Sequence, residues 1–253
     1  MSLFVARTYG GLGNQLFQVL YSRLVAASFT GSRLLIIHDR NYPHAFPLSP
    51  IFLEAGEPPV SACLVSRIRV TKILDRIGIS RSGRLSIGEA VHINGYFRNV
   101  DYYRKWADLE IASQLERLRI ALEIKSGHPD QGVMHHIRLG DVFITEAAEI
   151  RHLEERLSAL PDGCSVMPNR EELIRGSGLA NTLRSKRIRV VPSGGESAEA
   201  VIAKMSRYGE IDPDLSTPAF WAACLGKRRL VAESAELNAL YARFSESRFA
   251  QTT

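Results

Sequence analysis

The sequence predicts an α/β protein made of two Rossmann-like domains that face a cleft. Three observations carry this expectation. The chain opens with an apolar strand, a glycine-rich turn, an amphipathic stretch and a second apolar strand, the order of a βαβ unit. Short apolar runs and helix-period stretches then alternate to the C-terminus. The best candidate linker between two such series is Lys125-Ser-Gly-His-Pro-Asp-Gln-Gly132. The expected domains are therefore 1–128 and 129–253.

Residues 3–8 read as the first strand. Asn14 to Phe29 reads as a helix, because Leu16, Leu20, Leu24 and Ala27 share one face with Phe17 beside them. Gly31 ends it, and residues 34–39 form a buried second strand. Residues 41–60 are rich in proline and hold little pattern. Ala90 to Asn94 is a short strand, and Trp106 to Ile124 is helical through Leu109, Leu115, Leu118 and Leu122. After the linker, 133–139 is a strand and 147–160 a helix. Cys164 to Met167 is a weak strand, followed by a helix from about Arg170. Residues 187–192 form a strand and 198–208 a helix. Residues 217–225 form a helix, 229–232 a strand and 235–249 a last helix.

At 253 residues, 45% hydrophobic and 23% charged, the chain has ordinary globular composition. Its net charge of +5 admits anionic partners without choosing among them. Cys63, Cys164 and Cys224 are scattered, with neither metal spacing nor a disulfide framework, so a reducing compartment is expected. No apolar run reaches the ~18 residues of a membrane span, and no signal peptide is legible.

Four constellations could carry chemistry. Gly10-Gly-Leu-Gly-Asn-Gln15 joins the first strand to its helix, where backbone N–H groups and the helix dipole favour an anion such as a diphosphate. Gly11 and Gly13 half-match a dinucleotide fingerprint whose third glycine is Leu16, and Asp39 stands where a ribose-binding acid would. A ligand-free tight turn is the alternative. In Val133-Met-His-His-Ile-Arg-Leu-Gly-Asp141, strand alternation puts His136 and Arg138 on one face and Ile137 and Leu139 on the other. Such a pair at a strand's carboxyl end can grip a pyrophosphate, with Asp141 orienting the arginine; a solvated Arg–Asp pair and a core histidine is the alternative. Glu146, in Thr145-Glu-Ala-Ala148, is either a helix-capping residue or a base for a sugar hydroxyl. Ser234 is either a helix cap or a phosphate contact. Asp212-Pro-Asp214 has the spacing of a metal-holding pair but is read as a turn.

These pieces resemble the fucosyltransferases that use GDP-fucose, and most of all bacterial α-1,2-fucosyltransferases of glycosyltransferase family 11. Gly10 to Gln18 is similar to that family's G-G-L-G-N-Q-M-F-Q, and Gly95-Tyr-Phe-Arg98 with Tyr102-Tyr103 to its G-Y-F-Q segment. His136-Ile-Arg-Leu-Gly-Asp141 resembles its donor-binding H-x-R-R-G-D. The region from Phe220 through Ser234 resembles its final block. A more distant likeness to α-1,6-fucosyltransferases extends to Thr145-Glu-Ala-Ala148. Departures are Leu139 in place of the second arginine, Val142 in place of a lysine, and Met167-Pro-Asn in place of Ser-Asp-Asp.

The resemblance implies a two-domain GT-B-like fold, an inverting transfer, and no cofactor or essential metal. It puts donor binding on Gly11, Gly13, Asn14, Gln15, His136, Arg138, Asp141 and Ser234, with catalysis by Arg138 and Glu146. The expected activity is transfer of fucose from GDP-fucose to a glycan hydroxyl, as in surface polysaccharide or O-antigen synthesis. Partners are a nucleotide sugar and a glycan, lipid-linked acceptors included, with no nucleic acid. A cytoplasmic protein is expected, at most peripheral on the inner membrane face. Two alternatives stand beside this reading: an NAD-dependent oxidoreductase, favoured by Asp39, and an inactive nucleotide-sugar- or glycan-binding homologue, favoured by Leu139.

Overall fold

A computed structural model of the chain describes residues 3–39, 47–53, 60–65, 83–87, 90–125, 127, 129–139, 143–176, 178–214 and 216–249. It divides into two compact units, Met1–Ala121 with Ala242–Thr253, and Leu122–Tyr241. The division therefore falls before the glycine-rich segment expected to be the linker, and the last residues group with the first unit. Each unit is built on its own sheet, and each is α/β.

The first unit has a five-stranded sheet in the order β3-β2-β1-β5-β4. Its strands are β1 (Leu3–Thr8), β2 (Arg33–Asp39), β3 (Val60–Val65), β4 (Gly83–Ile87) and β5 (Ala90–Asn94). All neighbours are parallel except β4 with β5. Phe4, Val5, Ala6 and Thr8 are buried, as expected of a central parallel strand covered on both faces. Helix α1 (Leu12–Ala27) presses Leu16, Phe17, Leu20 and Leu24 into the core. Helix α2 (Asp108–Ala121) adds Ile111, Leu115 and Leu118. Beside them Phe97 stacks on Tyr21 at 4.1 Å, and the Tyr103 hydroxyl donates to the Phe97 carbonyl at 2.9 Å. That bond holds Phe97 at φ 52°, a backbone region that bulky residues rarely occupy.

The second unit carries β6 (Asp130–Ile137), α3 (Glu146–Ala159), β7 (Ser165–Pro168), α4 (Glu171–Gly176), α5 (Ala180–Ser185) and β8 (Arg189–Val190). There follow α6 (Ala198–Met205), β9 (Tyr208–Asp212), α7 (Thr217–Gly226) and β10 (Arg229–Leu230). The last helix, α8, is Ala235–Phe249. The sheet order is β10-β9-β6-β7-β8, and every pairing is parallel. Counted within the unit this is 3-2-1-4-5, the Rossmann order, and the direction of winding reverses between β6 and β9.

Strand β9 corrects the expectation of a helix through residue 208. Helix α6 stops at Met205, and Tyr208-Gly-Glu-Ile-Asp212 enters the sheet with Tyr208 and Ile211 buried. Ile137, Leu139, Leu153, Leu157 and Val166 form the core on the α3 side of the sheet. Helix α7 is apolar all round and buries Phe220, Trp221, Ala222, Ala223 and Leu225, as a helix enclosed on every side must. Among the described residues no helix is long and apolar enough to cross a membrane.

Candidate functional site

In open parallel sheets, ligands sit beyond the carboxyl ends of the strands at the point where winding reverses. In the second unit that point is the end of β6 and β9. Ile137 lies fully buried in the core beneath α3, so His136, its neighbour on β6, projects from the other face; Arg138 follows the last residue of the strand, and His136 feels its charge. His136 is buried, and Arg138 is half-buried. Burial first, and then the Arg138 charge, lowers the His136 pKa from 6.5 to about 4 against the opposing pull of Asp214 and Asp212. His136 is therefore neutral near pH 7. It can offer a hydrogen bond to a diphosphate, but the positive charge of the pair belongs to Arg138.

The Asp212-Pro213-Asp214 turn that ends β9 does more than reverse the chain. One Asp212 oxygen, Oδ2, meets His135 Nδ1 at 2.9 Å and the Arg156 guanidinium at 2.6 Å. Asp212 Oδ1 accepts from the Asp214 backbone N–H at 3.1 Å. An ionised carboxylate can only accept, so His135 carries its proton on Nδ1. Desolvation pushes the Asp212 pKa up, but the His135 bond, the Asp214 N–H and the Arg156 charge together hold it below the ordinary carboxylate value. Asp214 Oδ2 accepts from His152 Nε2 at 3.0 Å and from the Arg138 backbone N–H at 3.3 Å. His152 and Arg156 stand four residues apart on α3, hence on one helix face above β9.

On the opposite flank of β6, Asn169 follows β7. Its Oδ1 accepts from the Leu139 N–H at 2.6 Å, and its Nδ2 donates to the Leu139 carbonyl at 2.9 Å. Next to it Arg170 pairs with the buried Glu149 at 2.7 Å and with Glu172 at 2.8 Å.

The other expected residues fall as follows. Asp141 lies outside the described residues. Glu146 is the first residue of α3, with an exposed side chain 3.9 Å from Arg170, and Thr145 caps the helix by accepting from the Ala148 N–H. Ser234 is exposed, and its hydroxyl accepts from the Leu237 N–H, a capping contact at the start of α8.

In the first unit Gly10 takes φ 77°, which suits glycine, and Gly11 is the N-cap of α1 with no side-chain cap and no acid in the first turn. That helix end keeps its favourable field for an anion. Gly13 is buried in the first turn, and Asn14 is half-buried with its Oδ1 turned inward. Gln15 departs from the expectation of a donor contact. It is fully buried, and its amide binds the Gly10 and Pro47 carbonyls at 2.8 and 3.1 Å and the Ser49 N–H at 3.3 Å. Its job is to brace the loop from inside. Gln18 does likewise by accepting from the Tyr9 N–H at 3.0 Å. Asp39, the candidate ribose acid, is buried in an ion pair with Arg7 across the sheet.

Sequence reasoning missed His135, His152, Arg156 and Asn169, and gave Asp212 and Asp214 too little. The legible clue was the i, i+4 pair His152–Arg156 on a helix that directly follows the His136–Arg138 strand. Among the described residues no group of three or more His, Cys, Asp or Glu is arranged to hold a metal ion.

No protein-family model matches the chain, and neither does any curated protein. Among solved structures it is similar to the fucosyltransferase NodZ from Bradyrhizobium at 17% identity, covering 88% of this chain and 92% of that one with a TM-score of 0.43. A family 9 glycosyltransferase from Veillonella parvula matches at 10% identity, 91% and 80% coverage and a TM-score of 0.41. The E. coli heptosyltransferase WaaC with ADP matches at 11% identity, 97% coverage of both chains and a TM-score of 0.40. Likeness at this level assigns neither an activity nor a site to this chain.

Proposed function

We propose that the chain is an inverting, GT-B-like glycosyltransferase that takes a nucleotide sugar, GDP-fucose in the finer reading, and transfers the sugar to a glycan hydroxyl. The observation that carries this is the placement of Arg138 and neutral His136 at the switch point of an all-parallel 3-2-1-4-5 sheet. A planar guanidinium there suits two diphosphate oxygens at once. In the proposed step an acceptor oxygen attacks the anomeric carbon, the bond to the diphosphate breaks, and Glu146 takes the acceptor proton. Arg138 offsets the charge left on the diphosphate, a contribution worth ~10²–10³ in rate. No metal is needed in this scheme. The α-1,2 linkage and a surface-polysaccharide acceptor belong to the same proposal and rest on the motif resemblance.

One observation favours a second reading, a nucleotide-sugar-binding homologue without turnover. Leu139 stands where the family carries its second arginine, and it is wholly buried in the core. The oxidoreductase alternative is not favoured, because Asp39 is already paired with Arg7.

A melting panel of GDP, UDP, dTDP, CMP and NAD tests the proposal. GDP should stabilise most, because the two specific motifs resemble those of GDP-fucose enzymes, and a ligand at 100 times its dissociation constant adds about 2.7 kcal/mol, enough to read as a melting shift. A larger shift with UDP or NAD would overturn the donor assignment. GDP binding without turnover of GDP-sugars would select the second reading.

A further inference from the structure

The sheet register of β6 ends before Arg138. Ile137 is registered with Pro168 of β7, and Pro213 follows the last β9 partner, Asp212, registered with His135. On the β7 side one further bond follows, the Asn169 N–H donating to the Ile137 carbonyl at 3.3 Å, and the register then ends before Arg138 and Leu139 on both flanks. Two side chains replace the missing strand partners. From the β9 side, Asp214 Oδ2 accepts from the Arg138 N–H at 3.3 Å. From the β7 side, Asn169 closes a two-point contact on the Leu139 N–H and carbonyl at 2.6 and 2.9 Å.

Asp214 is itself held. His152 on α3 binds the same Oδ2 at 3.0 Å, and the Asp214 N–H donates to Asp212 Oδ1. Its backbone sits at φ 47°, a conformation aspartate adopts with strain and glycine without it. Such strain persists where the surrounding structure over-determines it.

We propose that Asp214 and Asn169 are positioning residues: they extend β6 by side-chain hydrogen bonds and thereby aim the Arg138 guanidinium at a diphosphate. The inference rests on the donor-site reading of Arg138. Neither residue touches the ligand. Together they fix the two peptides that bracket the Arg138 Cα, Asp214 the one before it and Asn169 the one after, and so the direction in which its side chain leaves. A guanidinium misplaced by about 1 Å loses much of a two-point contact.

The variants are Asn169→Ala, Asp214→Gly and Asp214→Asn in the full chain. Asp214→Gly removes the carboxylate while suiting φ 47°, so loss of function cannot be ascribed to backbone strain. Asp214→Asn keeps an oxygen for the Arg138 N–H. The probes are GDP, by calorimetry, and guanosine, by saturation-transfer NMR. Asn169→Ala and Asp214→Gly should weaken GDP roughly ten- to a hundred-fold with the guanosine signal unchanged, and Asp214→Asn should recover most of the GDP affinity. Unchanged GDP affinity in both removal variants overturns the inference and leaves the donor reading standing. Equal loss of GDP and guanosine overturns it too, because a general loosening would do that. A parent protein that binds no GDP fails the donor reading, and the inference falls with it.

Discussion

His136 is the residue whose environment speaks most plainly. Its ring is buried beside a guanidinium, and both effects oppose protonation. The folded pKa of about 4 lies below the ordinary 6.5, so the unfolded chain binds the proton more readily. Stability contributed by the neutral ring is therefore complete above pH 6.5 and is lost as pH falls toward 4. The loss is roughly 3 kcal/mol, taking 1.36 kcal/mol per pKa unit. His92, whose pKa burial also lowers, acts in the same direction. The difference between the parent and His136→Gln isolates the first group. Urea unfolding at pH 7 and pH 4.5 should show the parent losing markedly more stability than the variant. Parallel losses would mean that His136 is already protonated in the fold or is not the group responsible.

At the scale of elements, the end of α7 holds two adjacent residues whose identities look exchanged. Helices often close with a glycine in the left-handed region. Here Gly226 is the last helical residue, and Lys227 takes the left-handed turn at φ 57°. Packing explains the glycine. A Cβ on Gly226 would lie 2.8 Å from Ser206 Cβ and 3.0 Å from the Ser206 carbonyl. Gly226→Ala should thus cost about 1–3 kcal/mol. Lys227→Gly should instead add about 0.5–1 kcal/mol, because removing αL strain outweighs the added entropy of the unfolded chain. Urea midpoints moving in opposite directions check both, and a neutral Gly226→Ala would show that α6 and α7 can separate at little cost. The same elements show what sequence could reveal. Strands with near-continuous apolar runs, β1, β2 and β5, and helices with strong periodicity, α1 and α3, were legible to within a few residues. Strand β9 was not. It is five residues long with a glycine and two acids, and it is a strand only because β6 and β10 pair with it on either side. Missing β9 hid the end of its turn, and with it the cross-strand roles of Asp212 and Asp214. Asn169 was hidden for a similar reason, since its partner is a backbone 30 residues away. Gln15 was legible as special but not as a brace, because its role depends on the Pro47–Ser49 segment folding against it.

At the scale of the molecule, the division into two units places the chain's two tryptophans apart. Trp106 belongs to the first unit and Trp221 to the second, and both are buried. Each can report the unfolding of its own unit once the other is replaced. Trp106→Phe leaves only Trp221, which sits in α7 against Phe220 in the unit that holds Arg138. Trp221→Phe leaves only Trp106, whose indole N–H donates to the Tyr102 carbonyl at 3.0 Å. A ligand that binds only the native state stabilises the body that binds it. If the diphosphate is held by Arg138 at the β6–β9 switch point, GDP should raise the thermal midpoint seen by Trp221. The midpoint seen by Trp106 should move less. A larger shift at Trp106 would transfer the nucleotide to the first unit, where the uncapped end of α1 behind Gly10 and Gly11 is the anion-favouring feature. Equal shifts would mean that the two units melt as one cooperative body. Measuring both variants with GDP and with inorganic pyrophosphate then asks whether the diphosphate alone carries the effect. Pyrophosphate should reproduce the direction of the Trp221 shift at a higher concentration, because it lacks the nucleoside but keeps the oxygens that a guanidinium grips.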